Sequence, residues 1–466
     1  MGFVGVVGDG IGSLCRNGNG TGRCSSRRRV RVVRFSLEDW VFANAKTKEV
    51  DWDGKCKQGV RSGSELLSFP ESSAFAPGVV EKELASVLNV QGLDDVTALA
   101  LYLICVKYGV LDSQFKQYVD SLPESLDLPI FWTDAELEYL RGSSLLEKVK
   151  SIKVRISEEF SRVLQALPGK VKEEITLDRY TWAQGILFSR AFELPPSLTI
   201  VLLPGADSFP TSRSGNSVVR ATKGGLFGQD KNVALVADAD IFRGDQVVVT
   251  RNAESNAQFL MDYGIVYEDS PALDAVDLEF GVSPLDPFYD DKVDILQEMN
   301  MSIALNFRVT AGCNEYREED MEQLEYIAQY LRLVCLGGPD SFLLEAVFRS
   351  EVWDFMALPV SKENEKTMCE SAIAACEEQL ESLGEETDAE AASKREGLAR
   401  VIVDGERSAL EGIIAHFQRE LKLLDGKQYY QERRLSDLDL LRPVDPSEVV
   451  DSESAGRAAR SFDDYY

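Results

Sequence analysis

Trp182-Ala183-Gln184-Gly185-Ile186-Leu187-Phe188-Ser189-Arg190-Ala191-Phe192 and the nearby Thr199-Ile200-Val201-Leu202-Leu203 belong to two different kinds of structure. The first carries apolar residues at helical spacing and predicts a helix reaching back to about Leu177. The second is a short β-branched run before a Pro-Gly turn, which predicts a strand. Upstream of this switch the chain reads mainly helical from about 81 to 192. Val96, Leu99, Ala100, Leu103 and Ile104 recur at helical spacing, as do Leu137, Leu140 and Leu145. Thr133 with Glu136 three residues on predicts a capping box. Downstream, Ala234-Leu235-Val236 and Gln246-Val247-Val248-Val249-Thr250 continue the strands, separated by glycine-rich turns. Ser36 to Pro70 reads strand-like and turn-rich. After about Pro284 the pattern is almost entirely helical, over 319–336, 340–356, 362–383, 390–424 and 427–441. The expected fold class is therefore α+β: a mostly-β core from about 37–80 and 195–275, a helical insert at about 81–194, and an all-helical domain at about 285–441.

Composition narrows the function. Among 466 residues, 50 are basic and 78 acidic, for a net charge of −28. A pI near 4.6 argues against nucleic-acid binding through a basic surface. No apolar run is long enough to cross a membrane. The single histidine, His416, excludes a His-based triad and His-rich zinc sites. Eight cysteines form no CxxC pair, which fits reduced thiols. Residues 1–36 hold Arg16, Arg23, Arg27, Arg28, Arg29, Arg31 and Arg34 against one acid, Asp9, with Gly and Ser between. That composition resembles an organelle transit peptide, and the alternative is a disordered basic tail. Gly8-Asp9-Gly10-Ile11-Gly12 mimics a dinucleotide loop but lacks the following helix. Residues 442–466 read as a flexible tail.

The blocks also have a shared likeness. Gly63-Ser64-Glu65-Leu66-Leu67-Ser68-Phe69-Pro70, Tyr118-Val119-Asp120-Ser121-Leu122-Pro123-Glu124, Ile130-Phe131-Trp132, Gly142-Ser143-Ser144-Leu145-Leu146 and Trp182–Phe192 occur in order. They are followed by Ser255-Asn256-Ala257 with Asp262-Tyr263-Gly264, by Tyr330-Leu331-Arg332-Leu333-Val334-Cys335-Leu336-Gly337-Gly338, and by Tyr429-Tyr430-Gln431-Glu432-Arg433-Arg434-Leu435. Together these resemble the SET-domain protein-lysine N-methyltransferases of plastids that act on Rubisco large subunit and fructose-bisphosphate aldolase. The resemblance implies a SET domain over 37–280, a Rubisco methyltransferase-type substrate-binding domain over 285–441, and S-adenosyl-L-methionine (SAM) as cofactor. It also implies a protein substrate docked on the C-terminal helices, and a place in the chloroplast stroma; cytoplasmic and mitochondrial locations are the alternatives, and oligomeric state stays open.

By the same resemblance, Arg190 and the Ala206-Asp207 dipeptide would hold the cofactor, and Tyr263 would wall both it and the lysine channel. Three positions depart from the family. In Pro204-Gly205-Ala206-Asp207-Ser208-Phe209-Pro210-Thr211-Ser212, Pro210 stands for the family's Asn and Thr211 for its His. Arg251 stands at the position of the channel Tyr, with Thr250 there in an alternative alignment, and the early Gly-x-Gly turn is not recognisable around Asp51–Gly59. Methyl transfer to lysine needs a neutral amine aligned on a sulfonium methyl. A guanidinium about 5 Å from that sulfonium, at an effective dielectric of about 20, repels it by roughly 3 kcal/mol. Two function classes follow: a SAM-dependent protein-lysine methyltransferase, or a catalytically inactive SET-fold binding scaffold. Glu363, Glu365, Glu377, Glu378, Glu381, Glu385, Glu386 and Asp388 read as a solvated acidic face, alternatively as a docking surface for a basic partner. No metal is expected at Asp286, Asp290 and Asp291, which lack a further ligand at fixed spacing.

Overall fold

The computed structural model describes residues 37–71, 74–195, 199–224, 230–268, 270–384 and 391–437. The basic segment 1–36, the tail from 442, Gly225-Leu226-Phe227, and Glu385, Glu386 and Asp388 lie outside the described residues.

Within them the strands are β1 (Thr47–Lys48), β2 (Glu65–Pro70), β3 (Phe192–Leu194), β4 (Thr199–Val201), β5 (Thr211–Ser212), β6 (Ser217–Gly224), β7 (Asp230–Ala237), β8 (Val249–Thr250), β9 (Ala275–Gly281) and β10 (Ala304–Thr310). Six of them form one sheet in the order β1-β2-β7-β6-β8-β5. β2, β7 and β6 pair antiparallel, whereas β5 and β8 pair parallel, Thr211 opposite Val249 and Ser212 opposite Thr250. Parallel neighbours require a crossover between them. Here the β6–β7 hairpin fills that role and threads the Pro210–Ser212 segment beside Val249–Arg251. Gly215 makes the threading possible, because a Cβ there would come within 2.6 Å of Thr250 N and Val248 O.

The segment expected to be strand-like from Ser36 begins instead with a helix, Leu37–Asn44. Glu38 and Asp39 occupy its first turn, where the helix dipole favours acids. Leu37, Trp40 and Val41 pack on the sheet core, and the Trp40 ring meets Phe115 at 5.9 Å. The rest of that segment is turns, β1 and β2. The insert is helical as expected. Asp95–Lys107 is buried from Thr97 to Val106 and capped by Asp94, whose side chain accepts from Thr97 N. Thr133 and Glu136 form the anticipated capping box.

After Pro284 helices dominate: Tyr289–Glu298, Glu318–Val334, Lys362–Leu383, Lys394–Lys422 and Tyr430–Asp437. The all-helical reading needs one correction, because β10 lies within this region and pairs antiparallel with β9. Phe307 and Val309 are buried between the outward Asn306 and Arg308, a period of two that marks a strand. The expected helix over 340–356 is divided into a 3₁₀ segment, Gly338–Leu344, and the helix Val352–Met356. Glu365 is not on a solvated face: it is fully buried and accepts from Arg332 Nε at 2.5 Å and Lys427 Nζ at 2.9 Å. Asp286 pairs with the buried Lys292 at 2.7 Å, and Asp291 with Arg349. The His416 ring is half-buried, edge-on to Phe417, and away from any site residue. All six described cysteines are free thiols.

The insert and the C-terminal helices meet closely. Gly142, at φ +80°, sits so near the end of Lys362–Leu383 that a Cβ would lie 2.1 Å from Ser382 O. Gln379 Nε2 donates to Gly142 O at 3.2 Å. Glu406, on Lys394–Lys422, is buried and accepts the Ser143 and Ser144 hydroxyls at 2.9 and 3.1 Å on one oxygen, leaving the other without a partner. Burial pushes its carboxyl up to about 7. Arg395 adds a surface pair with Glu136.

Candidate cofactor and acceptor site

The helix Leu177–Arg190 sets the site. Thr176 caps its start by accepting from Arg179 N, and its middle lies close to the insert, since a Cβ on Gly185 would touch the Phe131 ring at 2.7 Å. At its end, Arg190 Nη1 donates to Asp207 Oδ2 at 3.1 Å and reaches the Asp207 carbonyl at 3.4 Å. The Asp207 side chain is 2% exposed, whereas Arg190 keeps 24% of its side chain in solvent. Asp207 is held from two further directions: Tyr118 Oη donates to Oδ2 at 2.9 Å, and Gly205 N to Oδ1 at 3.0 Å. The left-handed backbone of Gly205, φ +93°, turns that N–H inward. Burial raises the Tyr118 phenol well above its usual range, reinforced by the Asp207 charge, so it serves as a donor. Ala206, in the same turn, is fully buried.

Arg251 follows β8 and is 4% exposed. Its Nη1 donates to Ala191 O at 2.5 Å and its Nη2 to Arg190 O at 3.3 Å. Those are the last carbonyls of the Leu177–Arg190 helix, the negative end of its dipole. The guanidinium carbon stands 3.7 Å from the Phe192 ring centre and 5.1 Å from that of Tyr263. Burial lowers the Arg251 pKa, with Tyr263 and Asp207 opposing that shift, and Nε is buried with no partner. The sequence points to a guanidinium aimed at a sulfonium; the structure gives it a helix end to cap and two rings to lie between. Thr250 Oγ1, the alternative, is likewise buried without a partner.

Tyr263 ends the helix Asn256–Tyr263, whose cap is Ser255, accepting from Gln258 N. Burial raises the Tyr263 phenol and Arg251 partly offsets it. Burial also pushes the neighbouring Asp262 carboxyl up to about 6. Asn256 is a structural staple: its Nδ2 donates to Tyr267 O at 2.8 Å and Asp274 Oδ1 at 2.7 Å. Pro210 is exposed, and its carbonyl accepts from Val249 N at 2.8 Å. The Thr211 carbonyl accepts from Tyr267 Oη at 2.7 Å.

The fold thus gathers Arg190, Ala206, Asp207, Arg251 and Tyr263, and brings Pro210 and Thr211 onto the strand pair next to Arg251. Sequence reasoning did not assign Tyr118, Phe192 or Tyr267. Tyr118 and Phe192 lie inside recognisable blocks, but only tertiary contact gives them a part. A cleft of about 610 Å³, lined by Phe131, Trp132, Trp182 and Arg395, lies elsewhere and holds none of these residues.

Comparison with known proteins follows the same lines. A family model described as Rubisco LSMT substrate-binding matches residues 283–416. The [fructose-bisphosphate aldolase]-lysine N-methyltransferase, chloroplastic, of Arabidopsis thaliana is 36% identical over 366 residues, covering 75% of this chain and 74% of that one. The ribulose-1,5 bisphosphate carboxylase/oxygenase large subunit N-methyltransferase, chloroplastic, of Nicotiana tabacum is 34% identical over 83% of this chain and 79% of its own. The crystal structure of the SET domain of LSMT bound to lysine and AdoHcy superposes with TM-score 0.72 at 28% identity, over 88% of this chain and 96% of that one. This chain therefore belongs to the SET-domain family of plastid protein-lysine N-methyltransferases that includes the Rubisco large-subunit and aldolase enzymes.

Proposed function

We propose that this chain binds S-adenosylmethionine in a SET domain spanning about 37–280 and docks a plastid protein of the Rubisco large-subunit or aldolase class on its C-terminal domain, about 285–441, in the role of a protein-lysine N-methyltransferase. The observation that carries this is the Arg190–Asp207–Tyr118 cluster. A partly exposed guanidinium, oriented by a buried carboxylate, suits the carboxylate of an amino-acid-bearing cofactor. SAM supplies the electrophilic methyl when bound. The chain's own residues do the rest: Arg190 anchors, the Ala206-Asp207 turn shapes the floor, and Tyr263 walls the acceptor side. A plastid location is supported by the chloroplastic relatives, with residues 1–36 as the import segment. Among the described residues no helix is long and apolar enough to cross a membrane.

One observation favours a second reading, a catalytically inactive SET-fold scaffold. Arg251 fills the space between Phe192 and Tyr263, where an aromatic wall would otherwise receive a cation. Calorimetry with SAM on the chain lacking residues 1–36, followed by labelled-methyl transfer to Rubisco large subunit and to aldolase, separates the two. Cofactor binding with transfer establishes the enzyme. Binding without transfer, or docking without cofactor binding, establishes the scaffold. If the substitutions alone silence the site, the triple variant Pro210→Asn, Thr211→His, Arg251→Tyr gains methylation; a folded, SAM-binding triple variant that stays inactive refutes that account.

A further inference from the structure

A cleft of about 460 Å³ opens where the β5–β8 end of the sheet meets the C-terminal region. Arg213, Ser212, Tyr267 and Ser270 line it from one side, Arg317 and Glu315 from the other. Its two arginines are among those that the described residues leave without a carboxylate. In a chain of net charge −28, Arg190, Arg308, Arg332, Arg349 and Arg395 each touch a carboxylate. Among the described residues neither Arg213 nor Arg317 makes an ion pair. Arg213 donates only to the Ala272 carbonyl, at 3.3 Å. The Arg317 side chain lies flat across Gly312, where a Cβ would come within 2.4 Å of its Cδ. Glu315 subtracts from their charge, so the three residues leave one net positive charge in a cleft edged by hydroxyls.

The position of the cleft gives it meaning. Ser212 O accepts Arg251 N at 3.0 Å, and Tyr267 Oη is bonded to Thr211 O. One wall is thus continuous with the candidate site, while Arg317 stands inside the 283–416 stretch that matches the substrate-binding family. A protein docked on the C-terminal helices and reaching towards the SET core meets this cleft on the way.

We propose that the cleft takes an acidic segment of the docked protein, with side-chain carboxylates bound by Arg213 and Arg317 and by the Ser212 and Ser270 hydroxyls. This rests on the docking reading above but not on catalysis. Two fluorescein-labelled peptides, a lysine flanked on each side by three glutamates and the same lysine flanked by serines, are titrated against the full chain by anisotropy at one moderate salt concentration. Two partly exposed Arg–carboxylate contacts are expected to make the acidic peptide bind about tenfold more tightly. Arg213→Gln with Arg317→Gln should abolish that preference, and the exposed Arg213→Gln alone should weaken it without touching the fold. Arg220→Gln, which removes the same charge from an arginine already paired with Asp238, should leave it intact. Equal binding of the two peptides overturns the proposal, as does a preference that survives the double substitution. Inorganic phosphate displacing the acidic peptide at matched concentration overturns it as well, since the cleft would then be a site for free oxyanions. A chain that prefers the acidic peptide yet captures neither Rubisco large subunit nor aldolase refutes the partner assignment and leaves this inference standing.

Discussion

Arg251 and Arg332 are both buried, and the protein handles their charges in opposite ways. Arg332, in the C-terminal helices, meets Glu365 through Nε and Nη2 and the Met356 carbonyl through Nη1. Lys427 completes the group on Glu365 Oε2, which it shares with Arg332 Nη2. Arg251, in the SET core, has no carboxylate in contact; its charge is spread over two helix-end carbonyls and two aromatic rings. A charge cancelled by a buried opposite cannot be removed alone without stranding its partner. A charge solvated by dipoles and rings leaves nothing ionised behind. The first arrangement locks a structure, and the second is open to replacement.

The largest expected effect comes from breaking the locked pair. Arg332→Met should destabilise the chain by about 3–5 kcal/mol in chemical denaturation, because Glu365 keeps only Lys427. A loss below about 1 kcal/mol would mean the pair is dispensable and the contrast with Arg251 false. Glu406 offers a third solution, a buried acid whose protonated form is favoured by burial. Its folded-state value of about 7 lies above the ordinary carboxyl value of 4.5. Its contribution is therefore full below pH about 4.5 and is lost as pH rises to about 7. Glu406→Gln should remove that fall and raise stability above neutrality by up to about 3 kcal/mol. Parallel stability–pH curves for the two proteins would refute the assignment. Arg251→Met should cost only about 1–2 kcal/mol, the worth of its hydrogen bonds to the helix end; thermal unfolding gives the figure, and a loss as large as that of Arg332→Met erases the distinction. Smallest of all, Arg220→Ala, breaking the exposed pair with Asp238, should shift stability by less than about 1 kcal/mol.

Local signals in the sequence were legible where short-range chemistry settles the outcome. The helix over 362–383 begins and ends as expected, and Thr133 with Glu136 forms its box. The strand-to-helix order that defines the α+β class also held. β10 escaped because its alternation is short and lies among helical periods. Leu37–Asn44 escaped because its apolar residues acquire a side only when the sheet core is present. Glu365 shares a helix face with Met368, Cys369 and Ala372, all buried, and that spacing was readable as burial of an acid in need of a partner. The role of Arg251 was not readable. It depends on a parallel pairing of β5 with β8 across an intervening hairpin, and on the carbonyls of a helix far back in the chain.

The contact between Gly142 and Ser382 bears on re-engineering. Backbone lies against backbone there, with no side chain to trim, so the C-terminal domain is not a free cartridge. A chimera that exchanges residues from 285 onward to redirect the protein to a new target should carry the matching 140–146 turn with it. A graft that ignores this seam is expected to lose its docking geometry even when each half folds.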